Sequence, residues 1–92
     1  MEFEWDEAKA ASNAVKHGVT FDEGMELFAA LRSVDAPSRN SRPTEDRRFV
    51  VGEVNDRLVT VIYTQRSGRI RIISARPASI PERRIWRLSV AP

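Results

Sequence analysis

The hydrophobic and polar positions of the chain alternate most clearly between residues 58 and 75. Two runs rich in β-branched residues, 58–65 and 69–75, flank Arg66-Ser67-Gly68. This pattern predicts a β-hairpin with a three-residue loop, in which Gly68 adopts the left-handed conformation. That loop would place Tyr63 opposite Arg71 on one face of the sheet.

The two faces of this predicted hairpin differ in chemistry. One face is predicted to be core and carries Leu58, Ile62, Ile70 and Ile72. The other face is apolar at one end, and near the turn it carries Tyr63, Gln65, Arg69 and Arg71. Strict alternation places Arg76, just past the second strand, on the core face.

Two interpretations of the polar end remain open. Arginine presents a planar set of donors that matches phosphate oxygens, and tyrosine stacks on a base or donates a proton, so this end could hold a phosphodiester. Arginine and tyrosine are also common on half-exposed strands, where they pair with acidic neighbours.

Three segments carry helix signals. Asp6 is a predicted N-cap for a helix that continues to about His17 and ends at Gly18. A capping box at residues 20–23 opens a second helix that continues to about residue 29. A further capping box at residues 79–82 opens a third helix that continues to about residue 90.

The remaining segments predict strands and loops. Phe3 and Trp5 alternate with acidic residues as in a short edge strand. Residues 31–36 are a weaker strand candidate, 37–46 have the composition of an exposed and mobile loop, and 49–54 predict another strand before a tight turn at Asn55-Asp56. The expected fold is a single α+β domain over residues 1–92. It has a small antiparallel sheet, two N-terminal helices on one face, and a C-terminal helix across an end or the opposite face.

The composition excludes several classes of protein. The chain is 41% hydrophobic and 30% charged, without cysteine, so disulfides and thiol chemistry are excluded. No apolar run reaches the roughly 20 residues of a membrane span. We therefore expect a cytoplasmic protein without a membrane partner.

Charge is distributed unevenly along the chain. Residues 1–30 contain seven acidic and two basic residues, whereas residues 64–92 contain one acidic and seven basic residues. Of the 15 basic residues in the chain, 13 are arginine, the type suited to planar phosphate contacts. A polyanionic or acidic partner explains this pattern, and so does docking of the acidic first third against the basic last third.

Four blocks of the sequence, taken together, resemble a known family. They are WDEAKA at 5–10, KHGVTFDEG at 16–24, VIYTQRSGRIRIISAR at 61–76 and ERR at 82–84. In these blocks the chain resembles the BrnT family of bacterial type II toxins. The resemblance implies a RelE-like fold, a ribonuclease activity that stops translation, and neutralisation by a co-expressed BrnA antitoxin. That antitoxin also binds operator DNA, so the toxin would contact DNA only indirectly.

The residues suit RNA cleavage without metal or another cofactor. The 2′-hydroxyl of RNA can attack the adjacent phosphate, given a proton acceptor, a proton donor and positive charge. The predicted catalytic residues are His17, Tyr63 and Arg71. The predicted RNA-binding residues are Lys16, Arg66, Arg69 and Arg76. His17 is also explained as an ordinary helix C-terminal residue, and Glu82 is predicted to be a helix cap rather than a general base.

A non-catalytic binding module is the alternative from a different functional class. Such a module would use the same arginine face for affinity to a nucleic acid or an acidic protein. It would need no acid-base pair, so loss of His17 and Tyr63 would leave its activity intact.

Overall fold

The computed structural model describes residues 1–39 and 45–90 of the chain. Its centre is a five-stranded sheet with the order β1-β5-β4-β3-β2. The strands are β1 Glu2–Glu4, β2 Val34–Pro37, β3 Arg48–Val54, β4 Arg57–Arg66 and β5 Arg69–Pro77. The helices are α1 Glu7–His17, α2 Phe21–Met25, which continues as a 3₁₀ turn at Glu26–Phe28, and α3 Ile80–Val90. The predicted α+β class is confirmed.

Local capping explains where the N-terminal helices begin and end, as predicted. The Asp6 side chain accepts hydrogen bonds from two N–H groups of the first turn of α1, at 2.9 and 3.1 Å. Gly18 ends this helix with a φ of 68°, a backbone conformation that residues other than glycine rarely adopt. Thr20 and Glu23 satisfy each other's backbone N–H groups in a capping box that opens α2.

The sheet is mixed rather than wholly antiparallel. Strands β2 to β5 pair antiparallel, but β1 lies parallel to β5 at the sheet edge, with Phe3 beside Ile70. The prediction of an antiparallel sheet is therefore wrong for this strand. The N-terminal helices carry the chain from β1 at one edge of the sheet to β2 at the opposite edge, and three successive antiparallel pairings then bring β5 beside β1 in the same direction.

The hairpin of β4 and β5 has a two-residue loop, so the predicted register is wrong by one. Ser67 and Gly68 both have positive φ, 52° and 77°. Two-residue loops with positive φ match the right-handed twist of the flanking strands. As a result Arg66 pairs with Arg69, and Tyr63 pairs with Ile72 rather than with Arg71.

This register exchanges the predicted faces of the β4 residues, whereas Ile72 and Arg71 of β5 lie on the faces predicted for them. Tyr63 and Ile72 are both in the core, only 3% and 2% exposed. Leu58 and Ile62, predicted to be core, are half-buried on the opposite face, which we call the outer face. Arg71 also lies on the outer face, beside Thr64.

A β-bulge corrects the prediction for Arg76. The pairing shifts between Tyr63–Ile72 and Ile62–Ser74, so that Ile73 is an additional residue in β5. The bulge reverses the alternation, and Arg76, which pairs with Thr60, lies on the outer face instead of in the core.

Helices cover the two faces of the sheet unequally. The main core lies between the sheet and the N-terminal helices, where α1 packs on β5 and α2 packs on β5 and β4. The helix α3 packs against β3 and β2, and its Glu82 reaches Thr60 on the outer face. No helix in residues 1–39 and 45–90 is long and apolar enough to cross a membrane. The central part of the predicted loop, 40–44, lies outside the described residues.

Candidate functional site

Three arginines lie together on the outer face where the β4–β5 hairpin turns. Arg69 and Arg71 extend from β5, and Arg66 lies opposite Arg69 at the end of β4. The Nε of Arg69 lies 3.1 Å from Glu2 and an Nη of Arg71 lies 2.7 Å from Glu4. Arg66 is exposed and has no acidic partner among the described residues. We call these three arginines the turn-end surface.

An open cleft of about 910 Å³ borders the turn-end surface. Its walls are Pro37 and residues 45–48 and 64–66. The hydroxyl of Thr64 donates to the carbonyl of Asp46 at 2.8 Å, which holds the two walls together. Arg66 therefore belongs to both the turn-end surface and the cleft, and Arg47 and Arg48 add two further guanidinium groups to the cleft wall.

Tyr63 belongs to a polar cluster at the edge of the core. Its hydroxyl donates to Asp35, whose other oxygen accepts from Arg48 at 2.7 Å. Its ring packs edge-on against Phe28, with centroids 4.9 Å apart. Burial, together with the bond to Asp35, raises the pKa of Tyr63 to about 12. The phenol is therefore protonated at neutral pH, and its ring is not available to stack on a base.

Sequence reasoning did not single out Asp35 and Arg48. They occupy neighbouring strands, with Pro37 opposite Arg48 in the β2–β3 pairing. The only sequence signal is the single acid of β2 and the single base of β3, in strands that are otherwise mostly apolar. The register that brings them together is set by long-range strand pairing.

His17 and Lys16 lie at the other end of the sheet. They form the last turn of α1, and the carbonyl of the next residue, Gly18, accepts from Arg57 at 3.1 Å. Arg57 begins β4, and Tyr63 lies six positions further along this strand. At the rise of an extended strand this corresponds to about 20 Å.

Arg76 forms a bidentate ion pair with Glu82. Two guanidinium nitrogens lie 2.7 and 2.8 Å from the two carboxylate oxygens. The same carboxylate accepts from Thr60 at 2.9 Å and from the N–H of Ser79 at 2.8 Å, so the predicted capping role of Glu82 is confirmed. Burial alone would raise the pKa of Glu82, but these hydrogen bonds, that of Arg76 above all, lower it to about 2.

The structure brings together some of the predicted site residues and separates others. Arg66, Arg69 and Arg71 are neighbours, whereas Tyr63 faces the core and His17 lies at the far end. The predicted catalytic roles of His17, Tyr63 and Arg71, and the predicted RNA contacts of Lys16 and Arg76, stay predictions. No group of three or more side chains suited to metal binding occurs in the described part of the chain.

Comparison with known proteins identifies the family. No curated protein matches the chain. A family model described as "Ribonuclease toxin, BrnT, of type II toxin-antitoxin system" matches residues 5–82. This match covers strands β2 to β5, the two N-terminal helices and the arginines of the turn-end surface, but not β1. The chain therefore belongs to the BrnT family of ribonuclease toxins of type II toxin-antitoxin systems.

Proposed function

We propose that this toxin cleaves RNA at the turn-end surface and needs no metal ion. In this reaction the 2′-oxygen of the RNA attacks the adjacent phosphorus, and the bond to the 5′-oxygen of the next nucleotide breaks. Water accepts the proton of the 2′-hydroxyl and donates a proton to the leaving 5′-oxygen. The products are a 2′,3′-cyclic phosphate and a free 5′-hydroxyl.

The observation that carries this proposal is the exposed Arg66 beside Arg69 and Arg71. A guanidinium has five N–H donors, so the single close contact of each neighbour with Glu2 or Glu4 leaves other donors for phosphate oxygens. The two carboxylates also hold these side chains in place, which lowers the entropic cost of binding. The turn-end surface thus offers phosphate donors that are already positioned.

Arginine charge is the main catalytic contribution in this proposal. The phosphorane that forms on attack carries more negative charge than the starting diester, and pre-positioned guanidinium groups stabilise that charge more than the ground state. The cleft beside Arg66 accommodates the flanking nucleotide, and Arg48 supplies a further positive group in its wall. This charge stabilisation does not use His17 or Tyr63, whose predicted catalytic roles are tested separately.

The test compares arginine variants in the presence of excess chelator. Arg66→Gln and Arg71→Gln are incubated with single-stranded RNA. Arg32→Gln is the matched control, because Arg32 is an exposed arginine before the start of β2, near α3, whereas the cleft borders the other end of β2. Losing a charge-assisted contact costs about 1.5 to 3 kcal/mol, so each turn-end variant should cleave roughly 10- to 100-fold more slowly. The control should cleave like the wild type.

Three results would contradict the proposal. Loss of cleavage in chelator would show that a metal is needed. Cleavage of a substrate with deoxyribose at the cut site would exclude the 2′-oxygen as nucleophile. If the wild type never cleaves RNA but the arginine variants bind RNA more weakly than the wild type, the binding-module alternative is favoured.

The biological setting follows from the same proposal. Cleavage of messenger RNA in the cytoplasm would stop translation, and a BrnA-like antitoxin would neutralise the toxin. Expression of the chain alone should arrest bacterial growth, and co-expression of the antitoxin should restore it. A folded, soluble toxin that leaves growth unchanged would contradict this setting.

A further inference from the structure

The outward side of α3 carries two large aliphatic side chains that nothing in the described structure covers. Ile80 and Leu88 are 76% and 75% exposed, and Arg84 lies between them and is also exposed. These residues stand at positions i, i+4 and i+8, so they form one stripe along the helix. Apolar side chains spaced by whole turns along one helix face are the anchors that helix-to-helix recognition uses.

The charge of this stripe has one sign. Arg83 and Arg87 are exposed and flank it on one side. Glu82 is the only acidic residue of α3. Because its carboxylate is bound to Arg76 and Thr60 beneath the helix, it does not neutralise the outward arginines.

Contacts beneath α3 hold it in place before any partner arrives. The indole N–H of Trp86 donates to the carbonyl of Arg32 at 2.7 Å, one turn after the contacts of Glu82 with the sheet. The eleven residues of α3 span about 16 Å. A partner therefore meets a pre-formed ridge and does not have to order this segment on binding.

We propose that the outward stripe of α3, formed by Ile80, Arg84 and Leu88, is the docking surface for an acidic amphipathic helix of the antitoxin. This inference deepens the proposed neutralisation and rests on it. Two aliphatic residues of the partner helix, two turns apart, would pack against Ile80 and Leu88. A carboxylate between them would pair with Arg84, and carboxylates along one side would pair with the flanking Arg83 and Arg87.

Other occupants fit this surface less well. A second copy of the chain related by two-fold symmetry would bring arginine-bearing stripes against each other, which like-charge repulsion opposes. RNA would pair with the arginines but would leave the two aliphatic side chains exposed to water. An acidic amphipathic helix satisfies both the apolar and the charged positions.

The test measures antitoxin affinity and RNA cleavage on the same preparations. Leu88→Asp and Arg84→Glu change the stripe, and Val15→Asp is the matched control, because Val15 is an exposed aliphatic residue on α1. Titration calorimetry with the purified co-expressed antitoxin should show at least about tenfold weaker binding for both stripe variants and an unchanged affinity for the control. Both stripe variants should still cleave RNA, and they should resist an antitoxin concentration that silences the wild type.

The dependence of binding on salt concentration distinguishes the charged from the apolar contribution of this surface. Raising the salt concentration should weaken wild-type binding and shrink the difference between the wild type and Arg84→Glu, because salt screens exposed charges. The difference caused by Leu88→Asp should persist.

Stripe variants that bind the antitoxin as tightly as the wild type would overturn this proposal. Light scattering that shows a dimer of the free toxin, which Leu88→Asp dissociates, would also overturn it in favour of a second copy. The outcome for the ribonuclease proposal is separate. If even the wild type fails to cleave RNA while the stripe variants alone lose the antitoxin, the proposed reaction fails and the docking surface stands.

Discussion

Replacing Glu82 by glutamine tests how strongly the sheet holds α3. The carboxylate of Glu82 receives two contacts from Arg76 and one each from Thr60 and the N–H of Ser79. Glutamine keeps the length of the side chain and one acceptor oxygen, but it removes the charge and places an NH₂ group against donors. The variant therefore removes the electrostatic part of the anchor with little change in packing.

The expected cost follows from the lowered pKa. The pKa of Glu82 falls from an ordinary value of 4.5 to about 2 in the folded protein. The side chain is only 14% exposed, so water screens these contacts weakly. A displacement of this size corresponds to about 3 kcal/mol, and we expect Glu82→Gln to lower the free energy of unfolding by about 2 to 3 kcal/mol at pH 7.

The sign of the pH dependence gives a second readout. Because folding lowers this pKa, the contribution of Glu82 is fully present above about pH 4.5 and is lost as the pH falls towards 2. The difference in stability between wild type and variant should therefore shrink over this range. Glu53→Gln is the matched control, since Glu53 is an exposed acid on β3.

Urea unfolding followed by tryptophan fluorescence measures both quantities, because Trp86 lies in α3 itself. A difference below roughly 0.5 kcal/mol at pH 7, which is the scale of an ordinary surface substitution, would show that the anchor contributes little. A difference that stays constant from pH 7 to the acid limit would refute the electrostatic explanation.

The remaining predictions concern the core, the register and the site. Asn13→Ala should cost about 2 to 4 kcal/mol in urea unfolding, because the buried Asn13 amide donates to the carbonyl of Ala75 at 2.7 Å and accepts from its N–H at 3.2 Å. Ile72→Ala should cost about 2 to 5 kcal/mol, whereas Arg71→Gln breaks a half-exposed ion pair and should cost about 0 to 1 kcal/mol. The opposite order would show that the described register is wrong. His17→Gln should slow RNA cleavage less than any variant of the turn-end surface, and a loss of more than about tenfold would place His17 in the active site.

The proposed surfaces divide catalysis and neutralisation between two regions of the outer face. The turn-end surface lies on β4 and β5 near the hairpin, whereas α3 packs against β3 and β2. Arg76 and Glu82 join α3 to β5 between them. Variants can therefore separate RNA cleavage from antitoxin binding, which makes the two proposals independently testable.

The sequence by itself determined the features that depend on near neighbours. Asp6, Gly18 and the capping box at Thr20 and Glu23 marked the ends of helices, because a cap needs only groups within one turn of the chain. The α+β class and the arginine-rich last third could also be predicted. The blocks that resemble the BrnT family identified the ribonuclease toxin before any contact was known.

Tertiary structure alone decided which side chains meet. One residue fewer in the hairpin loop moved Tyr63 into the core and Ile62 to the outer face, while Arg71 kept its predicted face, because successive strand residues point to opposite sides of the sheet. The bulge at Ile73 then reversed the alternation once more and placed Arg76 on the outer face. The loop length and the position of the bulge depend on how the whole sheet packs. The residues near the turn therefore do not determine them alone.

The edges of the sheet show the same dependence on distant parts of the chain. The β1 strand covers β5 only as far as Arg71, and beyond it the side chain of Asn13 binds both backbone groups of Ala75 as a neighbouring strand would. The sequence shows Asn13 as one polar residue in a helix. Its role exists only because α1 packs along β5 and leaves two buried peptide groups that need partners.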